Sequence, residues 1–301
     1  MSHLAPLPDD AGAIMRIAHC QFEPRSGDFD ANLRKFEDGL KQVAADRAEI
    51  VSFPECFLTG YQDDGERARR HALAVDSAEL MRVLDVTSRY DPTVIVGFNE
   101  LRGDDLYNTA LIAHRGHLLG TYSKCAAYMP FHKQGREFPV FERDTHDDGT
   151  VKFGVIICAD GGYIEPARIL AAQGARIIFA PHYNYIGAKG LIGHFMKVRA
   201  DHMARAVENH VYFVRGNNVT VDKEQSILGY EGVGYGDSYV IDPYGEILAR
   251  SRRHVEDILL ADIYPNDARH QDRAWGLGRS LWSAREFGPL LDDIVRRQNQ
   301  G

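Results

Sequence analysis

"FGVIICADGGYIEP" (residues 153–166) runs through strand-forming residues to a thiol, Cys158, and then breaks at once into Ala159, Asp160 and two glycines. A helix-forming stretch, "EPARILAAQGA" (165–175), follows within a few residues and closes on Gly174. A structural cysteine normally sits inside an apolar run. This one stands at the exit of a strand, where open α/β sheets place their chemistry.

The same alternation extends to both sides. Upstream, "MRIAHCQFEP" (15–24) reads as a strand, and "NLRKFEDGLKQVAADRA" (32–48) carries Leu33, Phe36, Leu40 and Val43 at helical spacing. "EIVSFPE" (49–55) is a second strand, "SAELMRVLDVTSRY" (77–90) a second helix and "TVIVGFNE" (93–100) a third strand. Downstream come the strand "RIIFAPH" (176–182), the long helix "GHFMKVRADHMARAVENHV" (193–211) and the strand "YFVRGNNV" (212–219). Each half ends in a hairpin pattern, "YNTALIAHRGHLLGTYSK" (107–124) and "YGDSYVIDPYGEILARS" (235–251), turning at Arg115-Gly116 and at Asp242-Pro243-Tyr244-Gly245. Strands alternating with helices imply a parallel or mixed α/β sheet covered by helices. Two such halves predict a pseudo-twofold sandwich.

The 301 residues carry a formal net charge of −8 with Lys and Arg scattered along the chain, which leaves no electrostatic footprint for nucleic acid or an anionic membrane. No stretch approaches the ~18 uninterrupted apolar residues of a membrane span, and no signal-like region opens the chain. Cys20, Cys56, Cys125 and Cys158 are far apart and never form CxxC, so they read as reduced thiols of a cytoplasmic protein. Residues 1–14 lack any period and are expected to form a flexible leader before a single domain, 15–301.

Three strand ends terminate in a reactive group: Glu55 after "IVSFP", Lys124 after "LLGTYS" and Cys158 after "VKFGVII". Parallel strands of one sheet expose the same ends to one crevice, so these three can converge. A cation and main-chain N–H groups would lower the pKa of Cys158 and favour its thiolate. Glu55 would take the thiol proton and return it to a leaving group, while Lys124 and the N–H of Ala159 hold the oxyanion of a tetrahedral intermediate. The chemistry is acyl transfer through a thioester, and it requires no metal or organic cofactor.

The residues "FPECFLTGY" around Glu55, "YSK" ending at Lys124, "VIICADGGYIEPARIL" around Cys158, "RAVENHVYFVRGNN" and "GDSYVIDPYGEIL" resemble the nitrilase superfamily of carbon–nitrogen hydrolases. Asp160, Glu165 and Arg168 fall on that family's CxDxxxxExxR pattern. The resemblance covers nearly the whole chain after residue 14. It implies a four-layer αββα sandwich, a Glu-Lys-Cys triad and assembly into a homodimer or larger homo-oligomer. Ala159-Asp160 after the nucleophile resembles the amidase and carbamoylase branches, whereas nitrile hydrolysers carry Trp-Glu there. The implied substrate is therefore a small amide or N-carbamoyl amine. Nitrile hydrolysis and a weakly active binding protein are the alternatives.

Many members place a second glutamate seven or eight positions after the lysine; here Phe131 and His132 stand there. His132 is either a replacement polar group or a loop histidine with no role. Tyr61, Tyr128, Phe131, His182, Tyr183, Tyr185 and Asn184 cluster on loops after strands that bear or neighbour the triad, and are expected to shape an aromatic pocket. Cys56 and Cys125 each follow a triad residue and should pack behind the site, because successive strand residues face opposite ways. His182, His194, His202 and Asp201 lack the spacing of a recognisable metal site. "RAWGLGRSLWSAREFGPLL" (273–291) reads as a C-terminal arm whose apolar residues need burial, on this subunit or on a partner.

Overall fold

The computed structural model describes residues 14–145, 149–222, 231–266 and 274–298. Apart from Ile14, the expected leader lies outside the described residues.

The first half comprises β1 (Met15–Gln21), α1 (Phe29–Ala45), β2 (Ile50–Ser52), α2 (Gly65–His71), α3 (Ala78–Thr87), β3 (Thr93–Arg102), β4 (Asp105–His114) and β5 (His117–Ser123). The second comprises β6 (Val140–Asp144), β7 (Thr150–Val155), α4 (Ile164–Ala172), β8 (Ile177–Pro181), α5 (Leu191–Asn209), β9 (Tyr212–Gly216), β10 (Tyr239–Ile241) and β11 (Ile247–Arg250), followed by β12 (Asp257–Ile263) and α6 (Arg279–Gln298). They form two six-stranded sheets, ordered β12-β1-β2-β3-β4-β5 and β11-β10-β9-β8-β7-β6. In each, three parallel strands (β1-β2-β3; β7-β8-β9) continue into an antiparallel hairpin. The sixth strand of each sheet is an added edge: β6 pairs antiparallel with β7, its neighbour in the chain, and β12 crosses back from the second half to pair antiparallel with β1.

Strand alternation assigns the layers. Ile17, Ile50 and Ile95 of one sheet meet Phe153, Ile177, Phe179 and Val214 of the other in the central layer. Their sequence neighbours Ala18, Val51, Val94 and Val96 face outward onto Leu33, Phe36, Leu40 and Val43 of α1 and Leu80, Val83 and Val86 of α3. On the far side Ile178, Ala180 and Phe213 pack against Ala167 and Leu170 of α4 and Ala206 of α5. Each fully buried Ile, Leu or Phe in these layers contributes roughly 1.5–3 kcal/mol. The result is the αββα sandwich. Asp28 caps α1, its carboxylate accepting from the Ala31 N–H (3.0 Å), which starts that helix earlier than the expected Asn32. The β4–β5 hairpin turns at Arg115 (φ 47°) and Gly116 (φ 83°), the left-handed pair that a two-residue turn needs. Helix α2 and strands β6 and β12 lie beyond the sequence reading. β6 and β12 are both edge strands; β6 pairs with its chain neighbour β7, whereas the pairing of β12 with β1 joins distant segments, which a local period cannot announce.

Four of the buried histidines, His19, His132, His182 and His202, are held neutral by burial: the first two are lowered to about 4 and the others fall well below their ordinary value. Their folded pKa values lie below the unfolded one, so unfolding takes up protons in the window between about 6.5 and about 4. Stability is therefore expected to be intact above that window and to fall as pH drops through it. Denaturant titrations at about pH 7 and about pH 5 check this, and equal unfolding free energies would contradict it.

Candidate active site

The three predicted groups come together, although two sit a little beyond their strands. β2 ends at Ser52 and β7 at Val155, each three residues short, while Lys124 follows β5 directly. The turn bearing Glu55 lies against β3 at Gly97, where an added Cβ would come within 2.4 Å of the Cys56 amide nitrogen. Only glycine admits that approach.

Glu55 is fully buried and clamped from three directions. Its Oε1 accepts from Lys124 Nζ (2.7 Å) and Asn108 Nδ2 (2.6 Å), and its Oε2 from the Tyr183 N–H (2.7 Å). The Asn108 carbonyl also accepts from the Lys124 N–H (2.8 Å), so one residue of β4 fixes both charged partners. Burial works to lower the Lys124 pKa, but the negative charges of Glu55 first and then of Asp160 overcome it and hold the ammonium above its ordinary range. Asn108 escaped the sequence reading; its signal was an amide on the same strand face as the core residues Ala110 and Ile112.

Cys158 opens a short 3₁₀ turn (Cys158–Gly162) with φ 47°, a left-handed conformation that is strained for cysteine and recurs at functional sites. Asp160 braces that turn: Oδ2 accepts from the Ile157 N–H (2.9 Å) and Tyr122 Oη (2.7 Å), and Oδ1 from the Ala126 N–H (2.7 Å). The expected lowering of the Cys158 pKa is corrected here. Burial, then the Glu55 charge, push the thiol up to about 12 against the opposing pull of Lys124. The resting sulfur is a thiol facing a carboxylate, so any attack by this sulfur requires that its proton leave.

Cys158 lines a cavity of about 610 Å³ together with Lys124, Ala159, Tyr61, Tyr128, His182, Tyr183 and Asn184. Tyr61 and Tyr183 stack with ring centroids 4.7 Å apart, and Asn184 Nδ2 lies 3.6 Å from Cys158 Sγ. His182 Nδ1 meets the Ala180 carbonyl at 2.7 Å, and an acceptor there requires the proton on Nδ1, which leaves Nε2 as an acceptor. Helix α5 adds His194, Lys197, Asp201 and His202, of which Lys197 and Asp201 form an i,i+4 pair at 2.7 Å. His194 and His202 contact tyrosine hydroxyls of Tyr235 and Tyr239.

Phe131 and His132 are not among the cavity-lining residues. Phe131 packs over Gly65, and His132 Nε2 contacts Asn99 Oδ1 at 3.0 Å. The Asn99 amide donates in turn to Thr59 Oγ1 (3.1 Å) and the Gly60 carbonyl (3.3 Å), so His132 braces the loop that follows Glu55. His132→Ala should cost about 1–3 kcal/mol of stability with turnover per folded molecule little changed. Denaturant unfolding beside steady-state kinetics checks this; a selective loss of kcat contradicts it. Cys56 is fully buried, as expected, with its thiol toward Asn99 Oδ1 (3.6 Å). Cys125 departs from expectation: it is half-buried and its thiol donates to Asp160 Oδ1 (3.2 Å), because Lys124 already lies past the end of β5 and strand alternation no longer governs.

Comparison with known proteins agrees with this architecture. The chain is 28% identical over 256 residues to a nitrilase of Pyrococcus abyssi, covering 83% of this chain and 90% of that protein. It is 29% identical over 257 residues to the glutamine-dependent NAD(+) synthetase of Thermotoga maritima, of which it spans 42% while matching over 83% of its own length. In fold it is similar to a Nesterenkonia amidase solved with the acetamide moiety of fluoroacetamide added covalently at the active-site cysteine (TM-score 0.67, 21% identity, 90% of this chain and 97% of that one). The family described as carbon-nitrogen hydrolase matches residues 16–273. With that match across both sheets and all three converging groups, the chain belongs to the carbon-nitrogen hydrolase family.

Proposed function

We propose that Cys158, Glu55 and Lys124 hydrolyse a small non-peptide amide or N-carbamoyl amine through a thioester on Cys158. The observation that carries this reading is the buried carboxylate held between Lys124 Nζ (2.7 Å) and a thiol that opens onto the cavity. Sγ attacks the carbonyl carbon as Glu55 takes its proton. The oxyanion is received by Lys124 and by the Ala159 N–H, which lies in the first turn of a helix and has no intrahelical acceptor. Glu55 then protonates the departing nitrogen. Water, deprotonated by Glu55, attacks the thioester, and the acid leaves as the thiol re-forms. Tyr61, Tyr128, His182, Tyr183 and Asn184 would line the acyl and leaving groups.

The test is ammonia release from a panel of short amides and carbamoyl amines, with a nitrile panel alongside. Release from amides that is lost in Cys158→Ala supports the reading; acid formed only from nitriles overturns the choice of substrate.

We also assign the chain as one catalytic unit in a reducing, cytoplasmic setting, on the grounds that all four cysteines are free and that no helix of the described residues is long and apolar enough to cross a membrane. Helix α6 buries no residue and exposes Leu281, Trp282, Phe287, Leu290, Leu291, Ile294 and Val295. Its proposed occupant is a second copy of the chain. Light scattering should give at least twice the chain mass, falling in Leu290→Glu; a single-chain mass for the native protein rejects the assembly.

A further inference from the structure

Strand β9, "YFVRG", places an arginine within an apolar run, and Arg215 is wholly buried. Stripping water from a guanidinium is costly unless partners replace it. Among the described residues Arg215 makes no ion pair. The nearby Asp237 carboxylate is engaged by Arg199 (3.0 Å) and Arg253 (3.0 Å) instead. Arg215 Nη1 donates to the Asp237 and Gly236 carbonyls (2.6 and 3.0 Å), and Nη2 to Asn184 Oδ1 (2.6 Å) and Tyr235 Oη (3.0 Å). The rings of Tyr235 and Tyr239 flank it at 5.3 and 5.5 Å.

A guanidinium has donors and no acceptor, so the Asn184 atom that meets it must be the oxygen. The amide's NH₂ therefore faces the other way, and it is this Nδ2 that lies 3.6 Å from Cys158 Sγ. The Asn184 main chain is pinned as well, its N–H donating to Asn218 Oδ1 (2.8 Å) and Asn217 Oδ1 (3.3 Å).

We propose that Arg215 is a positioning residue that acts through Asn184, locking its amide so that Nδ2 donates to the Cys158 sulfur whenever that sulfur carries negative charge. This rests on the reading of Cys158 as nucleophile. The charge arises twice: when the thiol proton passes to Glu55 during attack, and when the carbon–sulfur bond breaks and sulfur departs from the thioester. No bond to Asn184 forms at either stage. The cation also polarises the amide it holds, strengthening the opposite N–H as a donor. The same guanidinium contributes to the lowered pKa values of His182, His194 and His202 on the cavity wall, so its field reaches the site.

The experiment is a double-mutant cycle on Asn184→Ala and Arg215→Lys, with kcat expressed per Cys158 that a haloacetamide can label, located by peptide mass mapping. A hydrogen bond to a charged group predicts that each single variant loses roughly 10- to 100-fold in kcat, with KM moving by less than about threefold. The double variant should be about as slow as the singles, because both remove one interaction. Independent losses that multiply, a native kcat in Arg215→Lys, or a defect confined to KM overturns the proposal. Should Arg215→Lys not fold, Asn184→Asp decides: it keeps an oxygen for the guanidinium but surrenders the donor. The same fall in kcat at an unchanged unfolding midpoint sustains the proposal, and native kcat ends it. If Cys158→Ala itself retains turnover, the parent reading has failed; if only the Arg215 and Asn184 variants behave as native, the failure belongs to this inference alone.

Discussion

Replacing Cys158 by alanine is expected to lower amide hydrolysis by roughly 10⁴- to 10⁶-fold, the scale on which loss of a nucleophile registers. The reason is specific to this geometry. Glu55 and Lys124 remain clamped by Asn108 and the Tyr183 N–H, so the charged pair survives, but nothing is left to form the acyl bond. Stability should hold or rise, since the variant gives up only a half-buried thiol. The left-handed backbone at Cys158 (φ 47°) sharpens the test, because its strain belongs to any side chain with a Cβ. Cys158→Gly should therefore be equally inactive yet more stable by about 1 kcal/mol. Ammonia release and thermal unfolding measure both quantities. Turnover in Cys158→Ala within tenfold of the native protein would place the chemistry elsewhere.

Lys124→Met should be the most damaging change in stability as well as in rate. Lys124 and Glu55 are at most 2% exposed in their side chains, and removing one partner of such a pair strands the other charge in a medium that cannot solvate it. The expected cost is about 3–5 kcal/mol, with a further loss of roughly 10²- to 10³-fold in kcat for the missing oxyanion donor. Stability and rate separate in the double variant Lys124→Met, Glu55→Gln. Its neutral amide and thioether should restore most of the folding free energy and none of the activity. Denaturant unfolding that shows Lys124→Met within about 1 kcal/mol of native would mean that the pair is better hydrated than its burial indicates.

How far the site could be read beforehand depended on the kind of signal. Cys158 was legible because a thiol at a strand exit, followed by Ala159, Asp160 and two glycines, breaks the apolar run. His132 was not, because a loop histidine carries no period, and its contact to Asn99 spans 33 residues. The direction of the Cys158 pKa was misjudged for a related reason. Proximity to a cation was visible in the motif, but the thiol's burial, which outweighs it, was not.

The sequence by itself determined the order of the strands and helices other than α2, β6 and β12, the hairpin that ends each half, and the three strand exits that carry Glu55, Lys124 and Cys158, since side-chain periodicity and turn chemistry are local properties. Tertiary structure alone decided what lies beside what. Glu55 meets Lys124 across 69 residues and the Tyr183 N–H across 128, β12 returns to β1, and Arg215 reaches Asn184 from the next strand. These pairings follow from packing two sheets face to face and excluding water between them. A hydrogen bond or charge gains its strength from that exclusion, which no single stretch of chain encodes.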